Sequence, residues 1–310
     1  MDLNYIILAH KNPIQLGRLI LRLQHPGCRF YVHIDRNVEI SPFLKELADQ
    51  HQIFFLKEEQ RQSCIWGDIG IVTATINAMR QVVEEERSGY CILLSGQDYP
   101  LRPNKEIQDF LENENGTSFI STFSLPHPNW KNGFDRIEKY KIDKTPKRKH
   151  FLQLSSIFDK DFYSLETAGK LNFLRKSGRA QLIPLVLKKR RFPSYLKPYG
   201  GGQWWALPML KVKEILNFID EHPDYLVYHK YTLIPDEIFF HSIMATLDGP
   251  VAPSLTYVNW DRKNTPLPVT FEKEDLEELK LASVEKLFAR KFDITIDTTI
   301  LDLLDQELLQ

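Results

Sequence analysis

A short segment in the last third of the chain places a carboxylate where its side chain would be held firmly. Glu237 follows a proline and an aspartate, and it precedes the apolar run Ile-Phe-Phe at 238–240. Because proline fixes its backbone angle and aspartate suits a helix cap, the pattern predicts a helix over 236–245. A glutamate at a helix start beside apolar bulk can act as a general base. The alternative is a first-turn glutamate that the helix dipole stabilises, and the segment alone supports both.

Two basic residues further along the chain could neutralise a departing diphosphate. Arg262 lies in a loop after a Trp-Asp pair, and Lys291 lies between two phenylalanines that could hold it in place. A leaving group with several negative charges needs cations of this kind when no metal ion is present. The alternative is that both are surface ions, as most lysines and arginines are.

Single acids are predicted to follow two of the strands. Asp35 ends the run Tyr-Val-His-Ile and could accept hydrogen bonds from a ribose or a base edge, or it could cap the next helix. Asp98 lies where nucleotide-sugar transferases of the GT-A type often carry Asp-x-Asp, but residues 96 and 100 are glycine and proline. One carboxylate is a poor ligand set for a divalent cation, so no metal site is expected there. The Asp-x-Asp at 159–161 is predicted to be a solvated turn.

The elements that must position these residues alternate between apolar strands and amphipathic helices. Strands are predicted at 5–9, 29–34, 53–56, 90–94 and 118–123, and helices at 13–23, 42–50, 68–86, 105–112 and 212–220. This alternation, with continuous apolar runs in the strands, predicts an α/β fold with a doubly wound, mostly parallel sheet flanked by helices. Ligands of such sheets bind at the carboxyl ends of the strands, where Asp35 and Asp98 lie.

The middle of the chain differs from both ends. Residues 131–197 are rich in lysine and arginine, whereas the 310-residue chain as a whole has a net charge of −1. The neutral balance argues against a nucleic-acid partner. The run Lys-Lys-Arg-Arg at 188–191 has two interpretations, contact with an anionic acceptor or membrane surface, or an ordinary solvated surface.

Other sequence features narrow the class further. No P-loop, dinucleotide fingerprint or nucleophile elbow is present, and the histidines lack metal-ligand spacing. There are three cysteines without CxxC spacing, no apolar run of about 20 residues, and no signal-peptide pattern at the N-terminus. These features favour a cytoplasmic protein without a metal or other cofactor.

Seven short motifs in order resemble those of the core-2/I-branching enzyme family of glycosyltransferases, which also contains the peptide O-xylosyltransferases. The motifs are Ala-His-Lys at 9–11, His-Ile-Asp at 33–35, Trp-Gly at 66–67, Ser-Gly-Gln-Asp at 95–98, Gly-Gln-Trp-Trp at 202–205, Pro-Asp-Glu at 235–237 and Ala-Arg-Lys-Phe-Asp at 289–293. The resemblance runs nearly end to end and is weakest in the basic middle. No single motif is specific, but their order and spacing are.

The resemblance implies a GT-A-like fold, a UDP-sugar donor, inversion at the anomeric carbon and no metal requirement. It implies that Glu237 is the general base, and that Arg262 and Lys291 neutralise the departing UDP. The residues that it assigns to the uridine pocket are Ala9, His10 and Asp35. Those that it places near the donor are Trp66, Gly67 and Asp98. Those that it places near the donor sugar and acceptor are Gln203, Trp204 and Trp205.

The resemblance also implies a domain plan. We expect one GT-A-like catalytic domain over 1–310, with a nucleotide-binding half at 1–125, a basic insertion at 126–200, and an acceptor- and diphosphate-binding half at 201–310. The donor sugar is expected to be N-acetylglucosamine or xylose, and the acceptor a glycan or another hydroxyl. Animal members have a membrane anchor and many disulfides, so this chain resembles a bacterial, cytoplasm-facing member.

One position differs from the animal peptide xylosyltransferases. They carry an acid in the Gly-rich Trp motif where this chain has Gln203, which argues against a protein-serine acceptor and against xylose. Two other classes remain as alternatives. A glycoside hydrolase would need two acids flanking one bond, and a non-catalytic module could bind acidic glycans through the basic middle.

Overall fold

The computed structural model describes residues 1–114, 116–128, 130 and 133–310. Its strands are β1 Leu3–Ala9, β2 Cys28–Ile34, β3 Ile53–Phe55, β4 Tyr90–Ser95, β5 Asp98–Pro100, β6 Ser118–Ser124, β7 Tyr140–Asp143, β8 Phe151–Leu154, β9 Tyr199–Pro208, β10 Val251–Ala252, β11 Thr256–Val258 and β12 Phe288–Arg290. Its α-helices are α1 Pro13–Leu23, α2 Ser41–Glu46, α3 Gly70–Glu84, α4 Asn104–Asn113, α5 Gly133–Glu138, α6 Leu165–Lys176, α7 Met209–Glu221, α8 Pro223–His229, α9 Phe239–Met244, α10 Leu276–Ser283 and α11 Thr299–Glu307.

A seven-stranded sheet forms the centre of the molecule, in the order β10-β6-β9-β4-β1-β2-β3. All of its neighbouring strands run parallel except at β9, which is antiparallel to both β4 and β6. Every residue of β1 is buried, as expected for a strand that is covered on both faces. The predicted α/β, mostly parallel, GT-A-like architecture is confirmed.

Helices cover the sheet on both sides and form two apolar layers. One layer packs α1, α4 and α11 against the side chains of β1 and β2 that point that way, such as Tyr5 and Phe30. The other packs α3, α7 and α9 against the alternate side chains, such as Ile6 and Tyr31. Successive side chains of a strand point to opposite faces, so one apolar run serves both layers.

A smaller three-stranded sheet places residues 288–290 beside the residues that follow β4. Strand β12 runs parallel to β11 and antiparallel to β5, with Arg290 opposite Asp98. Beyond the strand, the amide of Phe292 donates to the carbonyl of Gln97 at 2.8 Å. The last of the sequence motifs therefore lies beside the residues that follow β4, although almost 200 positions separate them.

The predicted helix over 236–245 is wrong in its first three residues and is confirmed from Phe239 to Met244. Pro235–Glu237 form a short 3-10 helix, and Ile238, at φ −134°, interrupts the chain before α9 begins. Ile234 has a left-handed backbone with φ 56°, and its amide donates to the Gly67 carbonyl at 3.0 Å. Contact with a distant loop thus fixes this segment, and Glu237 does not lie in the first turn of a longer helix. The predicted helix at 42–50 is also shorter, because α2 ends at Glu46.

The basic middle forms a substructure with its own apolar cluster. Helix α5, the β7–β8 hairpin, α6 and a 3-10 helix at Ala180–Leu187 surround buried side chains that include Ile142, Leu154 and Leu174. We refer to residues 133–197 as the insertion, and Lys131, where the predicted basic stretch starts, lies outside the described residues. Within the described ranges, no helix is long and apolar enough to cross a membrane.

One arginine of the basic run 188–191 is buried, which neither interpretation of the run predicts. Arg190 is 6% exposed, and its guanidinium packs against the rings of Tyr140 and Tyr228. It donates to the backbone carbonyls of Lys139, Tyr228 and Tyr231. Arg190 therefore joins the insertion to the segment after α8, while the other three residues of the run are exposed.

Candidate active site

Glu237 is partly exposed and is paired with an arginine from the insertion. Its carboxylate accepts a hydrogen bond of 2.6 Å from Nη1 of Arg136, and its side chain is 25% exposed. Burial raises the pKa of Glu237 above its usual value, although the charge and hydrogen bond of Arg136 act in the opposite direction. A partly accessible carboxylate with a raised pKa suits a group that takes up a proton during a reaction.

Aromatic stacking fixes the orientation of Arg136. Its guanidinium lies 3.7 Å from the centre of the Trp130 ring, a geometry that is attractive and that limits rotation of the side chain. The Trp130 ring in turn lies against Gly200, where a Cβ atom would be 2.5 Å from the ring. Gly200, two residues before the Gly-Gln-Trp-Trp motif, therefore makes room for Trp130, which orients Arg136 toward Glu237.

Asp236, the residue before Glu237, lies inside the protein. It is buried, and its Oδ1 has no hydrogen-bond partner among the described residues. Burial and the neighbouring charge of Glu237 raise the pKa of Asp236 to about 7, while Arg136 and Arg290 oppose the rise. The two adjacent acids thus have different surroundings: Glu237 is partly exposed and paired with Arg136, whereas Asp236 is buried.

Arg290 is a buried cation that sequence analysis did not single out. Its guanidinium lies 4.1 Å from the centre of the Trp204 ring and 3.7 Å from the carboxylate of Asp98. Asp98 is fully buried and also accepts hydrogen bonds from the amide and hydroxyl of Ser95, at 2.7 and 2.9 Å. Burial raises the pKa of Asp98, and Arg290 opposes this. The predicted residues Asp98 and Trp204 therefore hold Arg290, which lies between Asp98 and Asp236.

Positive side chains gather around Lys291. Burial lowers the pKa of Lys291, and the nearby charges of Arg148, Lys11 and Arg290 lower it further. Lys11 is paired with Asp293 at 2.5 Å, and the guanidinium of Arg148 lies 5.4 Å from the centre of the Trp66 ring. Like charges that lie this close to one another favour an anion between them. Arg148 thus lies near both Trp66 and Lys291, which are both predicted near the donor, and Lys11 lies near Lys291.

The residues predicted for a nucleoside pocket lie together at the ends of β1 and β2. The amide of Asp35 donates to the Ala9 carbonyl at 2.9 Å, and His10 is exposed beside them. The carboxylate of Asp35 accepts hydrogen bonds from the amides of Asn37 and Cys64, at 2.8 and 3.0 Å. Asp35 therefore shapes the two loops around this pocket, and a contact with ribose stays a prediction.

Gly67 connects the pocket to the segment of Glu237. It has a positive φ of 72°, which glycine adopts without strain, and a Cβ atom there would lie 3.3 Å from the side chains of Leu233 and Ile234. Together with the hydrogen bond from Ile234, this close packing places Trp66 near the turn that carries Glu237.

The Gly-rich Trp motif is split between the cleft and the core. Gln203 is half-buried and Trp204 faces Arg290, whereas Trp205 is 2% exposed and packs edge-on against Phe240. His241 approaches this motif from α9, with its Nε2 2.9 Å from the Gly202 carbonyl. The structure therefore places Trp204 near the candidate site and Trp205 beneath it.

Arg262 lies apart from the cations around Lys291. Its guanidinium contacts the carboxylates of Asp275 at 2.7 Å and Glu278 at 2.6 Å. Its loop follows β11, whose last residue pairs with Arg290, so the loop starts at the same edge of the molecule. The role of Arg262 in diphosphate binding stays a prediction, because its charge is already balanced by two acids in this structure.

Comparison with known proteins gives the family. The family model described as Core-2/I-Branching enzyme matches residues 3–285. This chain belongs to that family. The resemblance that the sequence motifs indicated is confirmed over nearly the whole chain.

The curated relatives of this family member are distant in sequence but match it from end to end. Xylosyltransferase 2 of Pan troglodytes is 24% identical over 328 residues, and that of Mus musculus is 25% identical over 330 residues. Xylosyltransferase 1 of Canis lupus familiaris is 21% identical over 332 residues. Each alignment covers 97% of this chain but 30–33% of the relative, so the chain spans about a third of the length of these relatives.

Among solved structures, a 4-diphosphocytidyl-2C-methyl-D-erythritol synthase from Anaerococcus prevotii is similar to this core-2/I-branching family member. The TM-score is 0.38 and the identity 9%, over 91% of this chain and 95% of that chain. A similarity this distant has no bearing on function.

Proposed function

We propose that this chain is an inverting, metal-independent glycosyltransferase that moves a sugar from a UDP-sugar to an acceptor hydroxyl. The observation that carries the proposal is that Glu237 and the cations around Lys291 are linked through neighbouring charges: Asp236 is near Glu237 and Arg290, and Arg290 is near Lys291. Such a displacement needs two kinds of group: a carboxylate that takes up a proton, and cations that stabilise the developing negative charge.

Glu237 acts as the general base. It removes the proton of an acceptor hydroxyl as that oxygen forms a bond to C1 of the donor sugar. The raised pKa of Glu237 makes this proton transfer more favourable than it would be for an ordinary surface glutamate. Arg136 holds the carboxylate in one orientation, and its charge keeps the carboxylate ionised for part of the cycle.

The bond from C1 to the β-phosphate oxygen breaks on the opposite face of the sugar. UDP leaves with the bonding electron pair, so an α-linked donor gives a β-linked product. Lys291, Arg148 and Lys11 receive the negative charge that develops on the diphosphate. Cations that are already in place stabilise this charge without reorganisation, which is the function that a metal ion has in other transferases.

The partners follow from these roles. The donor is UDP-N-acetylglucosamine or UDP-xylose: the relatives that are named xylosyltransferases favour the second, and Gln203 in place of their acid favours the first. The uridine contacts Ala9, His10 and Asp35 at the ends of β1 and β2. The acceptor hydroxyl reaches Glu237 from the side of Gln203 and Trp204.

A donor screen with a matched variant tests the function. UDP release is measured across a panel of UDP-sugars, in the presence of EDTA, for the unchanged protein and for Glu237→Gln. We expect release from one donor, and a loss of roughly 10²–10⁴-fold in the variant, the usual contribution of a positioned base. UDP affinity, measured by calorimetry, should stay unchanged because Glu237 does not contact the diphosphate.

Three outcomes would contradict the proposal. Near-normal turnover by Glu237→Gln would remove Glu237 as the base. Activity that is lost in EDTA and restored by Mn²⁺ would contradict metal independence. Free sugar released from an oligosaccharide, without consumption of a UDP-sugar, would favour the glycoside hydrolase alternative.

A further inference from the structure

The positive charge of the chain is concentrated in one segment. Residues 131–197 contain 18 Lys and Arg against 6 Asp and Glu, whereas the whole chain has 40 and 41. The rest of the molecule is therefore strongly acidic. A chain with a net charge of −1 thus has one strongly basic region, and that region extends beyond the cations of the candidate active site.

Large apolar side chains are exposed on the same region. Phe158, Tyr163, Leu165 and Leu187 are between 58 and 94% exposed. The segments of Phe158, Tyr163 and Leu187 are connected, since the amide of Ile157 donates to the Val186 carbonyl at 2.8 Å and the Tyr163 hydroxyl donates to the Ile157 carbonyl at 3.0 Å. Leu165 follows Tyr163 by two residues. Exposed apolar groups that cluster in this way mark interaction sites more often than single ones do.

Basic side chains lie among these apolar groups. Phe158, Lys189 and Arg191 line one open depression of about 590 Å³. The three acids between 159 and 166 are each paired with a lysine: Asp159 with Lys189 at 3.2 Å, Asp161 with Lys139 at 3.2 Å, and Glu166 with Lys170 at 2.7 Å. These pairs leave the positive charge of Lys160, Lys188 and Arg191 in excess. We call Phe158, Tyr163, Leu165, Leu187, Lys189 and Arg191 the outer patch.

We propose that the outer patch binds the surface of a membrane that contains anionic phospholipids. Apolar side chains that enter the headgroup region and basic side chains that attract anionic lipids are the two components of interfacial binding. Each lysine or arginine near such a surface adds to the attraction, and tyrosine favours the interface itself.

The apolar component decides between a membrane and an acidic glycan. A soluble polyanion is attracted by the charges alone and gives leucine side chains no reason to be exposed. Leu165 is 94% exposed at the first position of α6, and Leu187 is 58% exposed at the end of its 3-10 helix. Both become favourable only when an apolar phase covers them.

Vesicle sedimentation tests the proposal independently of any enzymatic activity. The purified protein is mixed with vesicles of phosphatidylcholine alone, or of equal parts phosphatidylcholine and phosphatidylglycerol. We expect sedimentation with the second kind and not with the first. Lys189→Glu with Arg191→Glu should weaken the partition coefficient by roughly tenfold at low salt and by less at high salt. Phe158→Ser with Leu165→Ser should weaken it by roughly tenfold at both salt concentrations.

Matched variants outside the insertion serve as controls. Leu281→Ser with Val284→Ser removes two side chains that are 76 and 69% exposed, and Lys45→Glu with Lys213→Glu reverses two exposed charges. Neither pair should alter sedimentation, and thermal unfolding checks that every variant is folded. An unchanged partition in the Phe158→Ser, Leu165→Ser variant would overturn the proposal, because binding would then be electrostatic adsorption. Binding to an acidic polysaccharide without binding to vesicles would also overturn it and would make an acidic glycan the partner.

Discussion

The molecule has two groups of cations, and they differ in what surrounds them. Around Lys291, the charges of Arg148, Lys11 and Arg290 are close enough to add to the effect of burial in lowering the pKa of Lys291, and Arg148 lies against the ring of Trp66. On the outer face of the insertion, Lys189 and Arg191 lie in solvent beside exposed apolar side chains. The first group converges on a space of limited size, whereas the second spreads over a surface.

This difference separates two kinds of anionic partner. Charges that converge inside a cleft are costly without a ligand, because they repel one another where water screens them poorly. They suit a compact anion with several charges, such as a diphosphate. Charges on an open surface cost little, so only the apolar groups between them indicate a partner. The same residue types thus support different conclusions according to burial and neighbours.

The largest effect should come from removing a cation of the group around Lys291, compared with removing a solvent-exposed cation of the insertion. We expect Lys291→Ala to lower kcat/KM by roughly 10²–10³-fold, since it removes a charge that is in place before the reaction. UDP affinity should fall as well, which separates this variant from Glu237→Gln. Arg175→Ala, an exposed position on α6 outside the outer patch, is the matched control. UDP release and calorimetry measure both effects, and equal rates for the two variants would remove the distinction.

A smaller effect is expected where the insertion contacts the base. Arg136→Met keeps much of the packing against Trp130 but removes the charge that lowers the pKa of Glu237. The pKa of Glu237 should therefore rise further, and the acid limb of the kcat/KM profile should move to higher pH. Arg136→Lys should restore part of the original profile. If Arg136→Met changes KM alone and leaves the profile in place, Arg136 has no influence on the protonation of Glu237.

The smallest effect concerns stability and comes from Asp236. Burial raises its pKa in the folded protein to about 7, above the value of an exposed aspartate. Protonated Asp236 is thus compatible with the fold, and its contribution to stability is present at low pH and lost as the pH rises through about 7. Asp236→Asn should remove this dependence. The Tm of the variant minus the Tm of the unchanged protein should therefore increase by a few degrees as the pH rises from 5 to about 8. A parallel pH dependence of both proteins would contradict the assignment.

The sequence carried enough information for the sheet and for the residues at the ends of its strands. Ala9 and Asp35 could be placed together because parallel strands end at one edge. The break at Ile238 could not be foreseen, since it depends on Ile234 donating to Gly67, more than 160 positions away. Local patterns are unable to show a contact of that range.

The partner of the candidate base was missed for a similar reason. Arg136 precedes Glu237 by 101 positions and lies in the region where the motifs match least. Arg290 was overlooked because only its neighbour Lys291 is flanked by phenylalanine, and no pattern indicates that Trp204 and Asp98 enclose it. Trp205 was assigned to the site together with Trp204, but adjacent strand residues need not share a face, and it lies in the core.

The anchoring of the insertion has a consequence for how the protein opens. Besides the contacts of Arg190, the amide of Lys141 donates to the Tyr231 carbonyl and the amide of Leu233 donates to the Arg136 carbonyl, both at 2.9 Å. These hydrogen bonds connect the insertion to residues 231–233, which precede Pro235. Local unfolding of one segment must break the bonds of the other, so both should belong to one cooperative unit. The amide hydrogens of Lys141 and Leu233 should then exchange with solvent at matching opening free energies, and mild denaturant should lower both together.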